Sequence, residues 1–361
     1  MGKYLRIGEA AKKLDVNPQT LRRWDKSGKF ESSRHKLNNY RVYEEERVLT
    51  LAAELQLDIE YSKNAQNSRN STLNDPCFQT PFGKLINGDS IEVMKSIDSD
   101  SVDLVFADPP YNIKKAEWDS FSSQQEYVDW SIKWITEAHR ILKSSGSLYI
   151  CGFSEILADI KWCSAPLFKG CKWLVWYYRN KANLGKDWGR SHESILHFRK
   201  SKKFKFNIDK VRIPYNEHTL KYPTRPQADT SQYNQGNGKK YTWNPHPLGA
   251  KPKDVLEVPT ISNGAWERYP HETQKPIELL RKVILSSSDE GDMIVDPFGG
   301  SGTTYAVAEA YRRKWIGIEK DEGYCKIISE RLSDKVHLER IMTATDSMES
   351  QKRRKKLRGQ E

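Results

Sequence analysis

Two short segments hold residue types from which chemistry can be built: Asp108-Pro109-Pro110-Tyr111 and Asp296-Pro297-Phe298-Gly299-Gly300-Ser301-Gly302. Each follows an apolar run, 102–107 or 293–295, that reads as a strand. Ligands of open α/β sheets collect at the carboxyl ends of strands, which is where both segments fall. A carboxylate and a nearby backbone carbonyl can together accept hydrogen bonds from an exocyclic amine and orient its lone pair. The Pro-Pro pair fixes the backbone so that a carbonyl points outward. Tyr111 can stack on the ring that bears the amine. Such a pocket reaches a base only after the base has rotated out of the duplex. Taken alone, the tetrapeptide is also compatible with a plain loop after a strand.

The Gly-rich segment lacks the Lys of a phosphate-binding loop and the GxGxxG spacing of a dinucleotide fold. Its context is more informative. Residues 303–314 read as a helix and 315–318 as a short strand ending in Glu319, the position from which an acidic side chain grips ribose hydroxyls. A Gly turn, a helix and a strand-end acid together predict a nucleoside-bearing cofactor.

With these residues in place the chain resembles the DNA amino-methyltransferases, in the β class whose catalytic segment precedes the cofactor segment. The likeness spans roughly residues 80 to 335. It runs in fixed order through Asn87-Gly88-Asp89-Ser90, Asp108 to Asn112, Gly146 to Ile150, His192-Glu193-Ser194-Ile195-Leu196, Leu248 to Val255, His271-Glu272-Thr273-Gln274-Lys275-Pro276, Asp296 to Thr304 and Glu319. The resemblance implies methyl transfer from S-adenosylmethionine to an exocyclic base amine. Asp108, Pro109, Pro110 and Tyr111 form the catalytic segment: Asp108 with the Pro109 carbonyl holds the amine, and Tyr111 stacks on the flipped base. The site mainly supplies alignment for in-line attack. On the cofactor side, Phe298, Gly299, Ser301, Gly302 and Thr303 line the methionine end, with Asp296 and Asp108 bordering it. Glu319 takes the ribose and Asp89 the adenine edge, and Thr273 and Lys275 close the pocket from the preceding helix. Lys275 has an alternative as a solvated lysine at a helix start. An Asp at position 108 favours adenine N6 over cytosine N4, with cytosine left open.

Composition points the same way. The 361 residues suffice for one large and one small domain, and 59 Lys plus Arg against 48 Asp plus Glu give a formal charge of +11. That balance favours a polyanion, with double-stranded DNA the implied partner. Lys200, Lys202, Lys203 and Lys205, interleaved with Phe198, Phe204 and Phe206, read either as a DNA-backbone track that includes Lys202 and Lys203 or as a half-buried strand. Five cysteines form no CxxC pair and no Cys/His ligand spacing, so neither a metal site nor a disulfide framework is expected. No secretory or membrane-spanning run is read, and a cytoplasmic, nucleoid-associated protein is expected. A homodimer and a companion restriction enzyme are further partners that the resemblance allows.

Residues 1–60 read as a separate unit. A helix over 7–14 and a tight turn lead to Asn17 as N-cap, Pro18 at the first helical position, and a second helix with Leu21 and Trp24 inward. Thr20, Arg22, Arg23 and Lys26 then offer DNA contacts from that second helix. A wing over 34–43, turning at Asn38-Asn39, leaves Arg41 for phosphate or minor groove. The unit resembles the winged helix-turn-helix of MerR and excisionase-like proteins, carried by Ile7 to Ala11, Thr20 to Trp24 and Tyr40 to Tyr43. A polar linker is expected over 61–79, and an α/β, Rossmann-like methyltransferase sheet over 80–335. Within that sheet domain, 200–270 is the expected target-recognition region. A basic, disordered tail is expected over 336–361. Two other functions fit some of these features: a MerR-like regulator with an inactive methyltransferase part, and a methyltransferase acting on RNA or protein.

Overall fold

The computed structural model describes residues 4–14, 16–34, 40–52, 75–113, 119–179, 186–226 and 242–344, which fall into two compact units, 1–72 and 73–361. In the first unit, β1 (Tyr4–Arg6) leads into α1 (Ile7–Lys13) and α2 (Pro18–Lys26). The Asn17 side chain accepts from the Gln19 amide at 2.8 Å, capping α2, and Pro18 opens it. Leu21 is fully buried between the helices, while Arg22, Arg23 and Lys26 are exposed and Thr20 is half-buried. Strands β2 (Ser33–Arg34) and β3 (Arg41–Glu44) pair antiparallel, β1 adds to the other edge of β3, and α3 follows, described over 45–52. The expected turn at Asn38-Asn39 lies outside the described residues. Arg41 departs from the expectation of a free DNA contact. Its Nε lies 2.6 Å from Asp25 Oδ2, pinning the wing to α2. The Arg41 hydrogen bond, followed by the Ser32 amide, holds the Asp25 carboxyl down at about 2.

Among the described residues, the second unit is built on nine strands in the order β12-β8-β9-β7-β6-β13-β14-β5-β4. In chain order they are β4 (Phe78–Gln79), β5 (Gly83–Asn87), β6 (Val102–Ala107), β7 (Leu142–Gly152), β8 (Gly170–Tyr177), β9 (His192–Arg199), β12 (Val255–Glu257), β13 (Met293–Asp296) and β14 (Lys314–Glu319). A two-stranded ribbon, β10 (Arg225–Pro226) with β11 (Thr242–Trp243), stands apart from the sheet. Strands β5, β14, β13, β6 and β7 run parallel, and β9 is antiparallel to both its neighbours. Every residue of β6 is buried, as a central strand covered on both faces requires. One face packs α4 (Ser90–Lys95), α5 (Gln124–Ile141) and α6 (Ser154–Ser164); α5 buries 127, 128, 131, 134, 135, 138 and 141, a helical stripe. The other face packs α8 (Ile277–Ser287), α9 (Thr303–Ala310), α10 (Glu322–Ser333) and α11 (Lys335–Thr343). The short α7 (Glu217–Lys221) lies in the connection before the ribbon.

From β6 the chain moves to β7, away from β13, and from β13 it moves to β14, away from β6. The crevice between β6 and β13 is therefore the switch point of the sheet, where ligands of such folds bind.

Two expected boundaries are corrected. Edge strand β4 falls inside the stretch read as linker, because Phe78 packs on the core and β4 pairs with β5. The tail read as disordered from 336 is helical through Thr343, because His337 and Ile341 are buried against the α8–α10 layer; residues 345–361 lie outside the described residues.

Candidate active site

The chain leaving β6 is shaped by a carboxylate that sequence reasoning missed. Asp119 is buried and accepts from three consecutive amides, Tyr111 (2.6 Å), Asn112 (2.7 Å) and Ile113 (3.2 Å). Asn112 adopts φ 56°, a left-handed conformation that Asn tolerates better than most residues, and its side chain accepts from the Phe121 amide at 3.0 Å. The Pro110 carbonyl takes a hydrogen bond from the Tyr127 hydroxyl at 2.7 Å. Asp108, Pro109, Pro110 and Tyr111 are thereby presented as one rigid edge of a cavity of about 580 Å³.

Four side chains meet at this edge. The Tyr111 hydroxyl donates to Asp108 Oδ1 at 2.7 Å and lies 3.3 Å from Glu193 Oε2. Lys275 Nζ is 2.6 Å from Asp108 Oδ2 and 3.7 Å from Glu193 Oε2, at 7 % side-chain exposure. Its ammonium also stands over the rings of Tyr111 (5.3 Å) and Trp176 (6.0 Å). Burial alone would push the Lys275 pKa down, but the Asp108 and Glu193 carboxylates outweigh it and the net shift is upward. Burial, then the same carboxylates, holds the Tyr111 phenol well above its usual value, so it stays a neutral donor. Lys275 is thus not a solvated lysine. Nor is it on a helix: Thr273 and Lys275 belong to the loop before α8, whose N-cap is Pro276. In the sequence Glu193 stands only as part of the run 192–196, and nothing in its spacing announces that β9 delivers it here.

The second wall is the turn after β13. The Asp296 carboxyl is fully enclosed, accepting from the Phe298 amide (3.0 Å) and the Thr304 hydroxyl (2.5 Å), and burial raises its pKa to about 8. Glu319 Oε2 accepts from the Gly300 amide at 2.7 Å and its Oε1 from the Asp321 amide at 2.8 Å, so the strand-end acid also ties down the Gly turn. Burial raises the Glu319 pKa as well. A Cβ on Gly299 would come within 2.8 Å of the Tyr305 hydroxyl, and one on Gly300 within 3.0 Å of His271, so only glycine lets the turn pass here. Gly302 is the exception among the expected cofactor residues. It is absent from the cavity wall and turns the chain, at φ 71°, into α9 against Ile328. Phe298 lies on the wall and against Trp130 and Trp134.

Asp89 lines the cavity too, but its Oδ1 caps α4 by accepting from Ile91 and Glu92. Behind the turn lies Arg331, a residue that sequence reasoning did not single out. It is fully buried, and its Nη1 donates to the Ser301 carbonyl (3.0 Å) and the Thr303 hydroxyl (2.9 Å). Its Nε donates to His337 at 3.2 Å, and its guanidinium stacks over Tyr269. Burial lowers the Arg331 pKa to about 10.

A cavity bounded by Gly88, Asp89, the Gly299-Gly300 backbone, Ser301 and Glu319 suits a group with a nucleoside at one end. It opens directly onto Asp108 and Tyr111.

The basic run is not at this end of the sheet. Strand β9 is antiparallel to β7, with Ser194 opposite Gly152 and Arg199 opposite Ser147. Its eight residues carry the chain roughly 25 Å away from the carboxyl ends before Lys200 is reached. There Lys200 pairs with Asp100, and Lys205 with Asp289 and Asp292, while Lys202 and Lys203 are exposed. The run is neither strand nor neighbour of the Asp108 edge, because the direction of a strand cannot be read from its alternation. Among the described residues no helix is long and apolar enough to cross a membrane.

Comparisons with known proteins agree with this geometry. Residues 102–330 match the N6/N4 methyltransferase family model, described as DNA methylase, and residues 6–43 match that of the MerR family regulatory proteins. The chain is 35% identical over 269 residues to the DNA adenine methyltransferase YhdJ of Escherichia coli, covering 72% of this chain and 87% of that protein. It is 34% identical over 254 residues to the type II methyltransferase M.HpaI of Haemophilus parainfluenzae, covering 69% and 74%. The solved PvuII DNA methyltransferase, cytosine-N4-specific, superposes with a TM-score of 0.56 at 21% identity, covering 75% of this chain and 96% of that one, a likeness of fold. By its matched residues and its relatives, the chain belongs to the N6/N4 family of DNA methylases.

Proposed function

We propose that this DNA methyltransferase acts on adenine N6, in the β-class arrangement, with S-adenosylmethionine as methyl donor. The observation that carries the reading is the rigid edge at Asp108, where a carboxylate and an aromatic face stand together beside a nucleoside-shaped cavity. When bound, the cofactor supplies an electrophilic methyl group. The chain's own residues do the rest. Tyr111 offers its ring to a flipped base, as an aromatic platform does for an unstacked base. Asp108 accepts a hydrogen bond from the exocyclic amine and turns its lone pair toward the cavity, so the contribution is alignment. The nitrogen becomes cationic as the new bond forms, and its proton then leaves past the Asp108 carboxylate. Gly300, Glu319 and Asp89 hold the nucleoside end. Adenine is favoured over cytosine by Asp at position 108 and by the relative named as an adenine methyltransferase.

The N-terminal unit adds a second hold on DNA through Arg22, Arg23 and Lys26, exposed on α2. Tethering of this kind raises the local concentration of target around the enzyme. The test is transfer of labelled methyl groups to duplex DNA followed by digestion to nucleosides. Label in N6-methyldeoxyadenosine is expected. Label in N4-methyldeoxycytidine overturns the choice of base, and absence of label with cofactor still bound favours a regulator.

A further inference from the structure

The Asp108 carboxylate has competing partners before any substrate arrives: Tyr111 on Oδ1 at 2.7 Å and Lys275 on Oδ2 at 2.6 Å. A buried ammonium at that distance cancels the charge that should steady a cationic amine. Glu193 stands beside both competitors, 3.3 Å from the Tyr111 hydroxyl and 3.7 Å from Lys275 Nζ, at 14 % side-chain exposure. With Glu193 counted, the cluster of Lys275, Asp108 and Glu193 carries one net negative charge; without it, none.

We propose that Glu193 is a positioning residue for methyl transfer: it serves as counter-ion to Lys275 and as alternative acceptor for the Tyr111 hydroxyl, leaving Asp108 free for the base amine. The inference rests on Asp108 as the amine's acceptor. The protein supports the geometry on both sides. Glu193 is fixed on β9 opposite Trp176 of β8, and the Trp176 ring in turn underlies Lys275. A fixed negative charge aimed at a site where positive charge develops acts without reorganisation, and in a water-poor pocket it is worth more than in bulk solvent. Lys275, for its part, keeps two carboxylates that would repel each other at one edge.

The test is a double-mutant cycle on the full chain, read as the single-turnover rate of methyl transfer at saturating DNA and cofactor. Glu193→Gln preserves shape and removes the charge. It is expected to slow transfer about tenfold in the parent, a coupling within the range of groups sharing one network, and at most about threefold in a Lys275→Met background, where no ammonium needs balancing. Cofactor affinity, measured by calorimetry, changes by no more than about twofold between Glu193 and Glu193→Gln within each background and reports that the pocket is folded. Equal slowing in both backgrounds, or no slowing in the parent, overturns the proposal. Should Glu193→Gln lose cofactor binding, the cycle is repeated with Glu193→Asp, which keeps the charge and draws it back by one methylene. Slowing should again be greater with Lys275 present than in the Lys275→Met background, and equal slowing in both overturns the proposal. Asp108→Ala separates the two claims: turnover retained in that variant refutes Asp108 as acceptor, whereas a dead Asp108→Ala with an additive cycle refutes Glu193 alone.

Discussion

Asp119→Ala tests whether the Asp108–Tyr111 edge is held by the carboxylate behind it. Asp119 accepts from three amides at 2.6, 2.7 and 3.2 Å while almost wholly buried. A hydrogen bond to a charged group is worth a net of about 1.5–3 kcal/mol. The longest bond goes to Ile113, which is 43 % exposed, so water can replace it. The two shorter bonds, taken at the low end, give roughly 3 kcal/mol of order in the segment that carries Tyr111. Spent on misplacing the aromatic platform, that is a loss on the order of 10² in the rate of methyl transfer. Asp119→Asn keeps a neutral acceptor and should lose about tenfold. Cofactor affinity should hardly change, because the Gly turn hangs from β13 and Glu319. The assay is single-turnover transfer to DNA with calorimetry for the cofactor. A rate for Asp119→Ala within threefold of the parent refutes the reasoning, as does an equal loss in cofactor affinity.

Arg331→Met should orphan the Ser301 carbonyl and the Thr303 hydroxyl and destabilise the large unit by about 2–4 kcal/mol, read as a lower melting temperature and weaker cofactor binding; an unchanged melt would show that the guanidinium is dispensable. The Asp296 carboxyl, raised from 3.8 to about 8 by burial, keeps a proton that the unfolded chain has lost between those values. Its stabilisation is therefore fully present below about pH 4 and is lost as pH rises through about 8; Asp296→Asn should flatten the fall in melting temperature over that window, and an identical slope contradicts the assignment. Reversing Lys202 and Lys203 to Glu should leave DNA affinity and its salt slope nearly unchanged, since both lie at the amino ends of the parallel strands; a slope reduced by about two would place DNA there.

The chemistry-bearing segments were legible because they sit at strand ends bounded by Pro and Gly, where local rules are strong. Asn17 was legible as a cap for the same reason. The partners of those segments were not. Asp119, Glu193 and Arg331 reach the site through tertiary packing, from a loop, an edge-side strand and a helix on the far face. Their spacing to Asp108 or Ser301 in the chain says nothing about distance in space. Strand β9 shows the cost: its alternation was plain, but its antiparallel direction decides that Glu193 enters the site and that the lysines after Arg199 leave it. The partner of Arg41 was not legible, because a basic residue on a wing reads as free until Asp25, sixteen residues earlier, is seen beside it. The helix at 335–343 was hidden by the charged tail after it, since burial of Ile341 depends on a layer formed by α8 and α9.

Methylation of a base amine at the Asp108 edge is what the proposed function requires. Sequencing with modified-base detection, on DNA from cells expressing the parent or its Asp108→Ala variant, tests it most directly. N6-methyladenine is expected at one recurring sequence in the parent and at none in the variant. The same modification in both would contradict it.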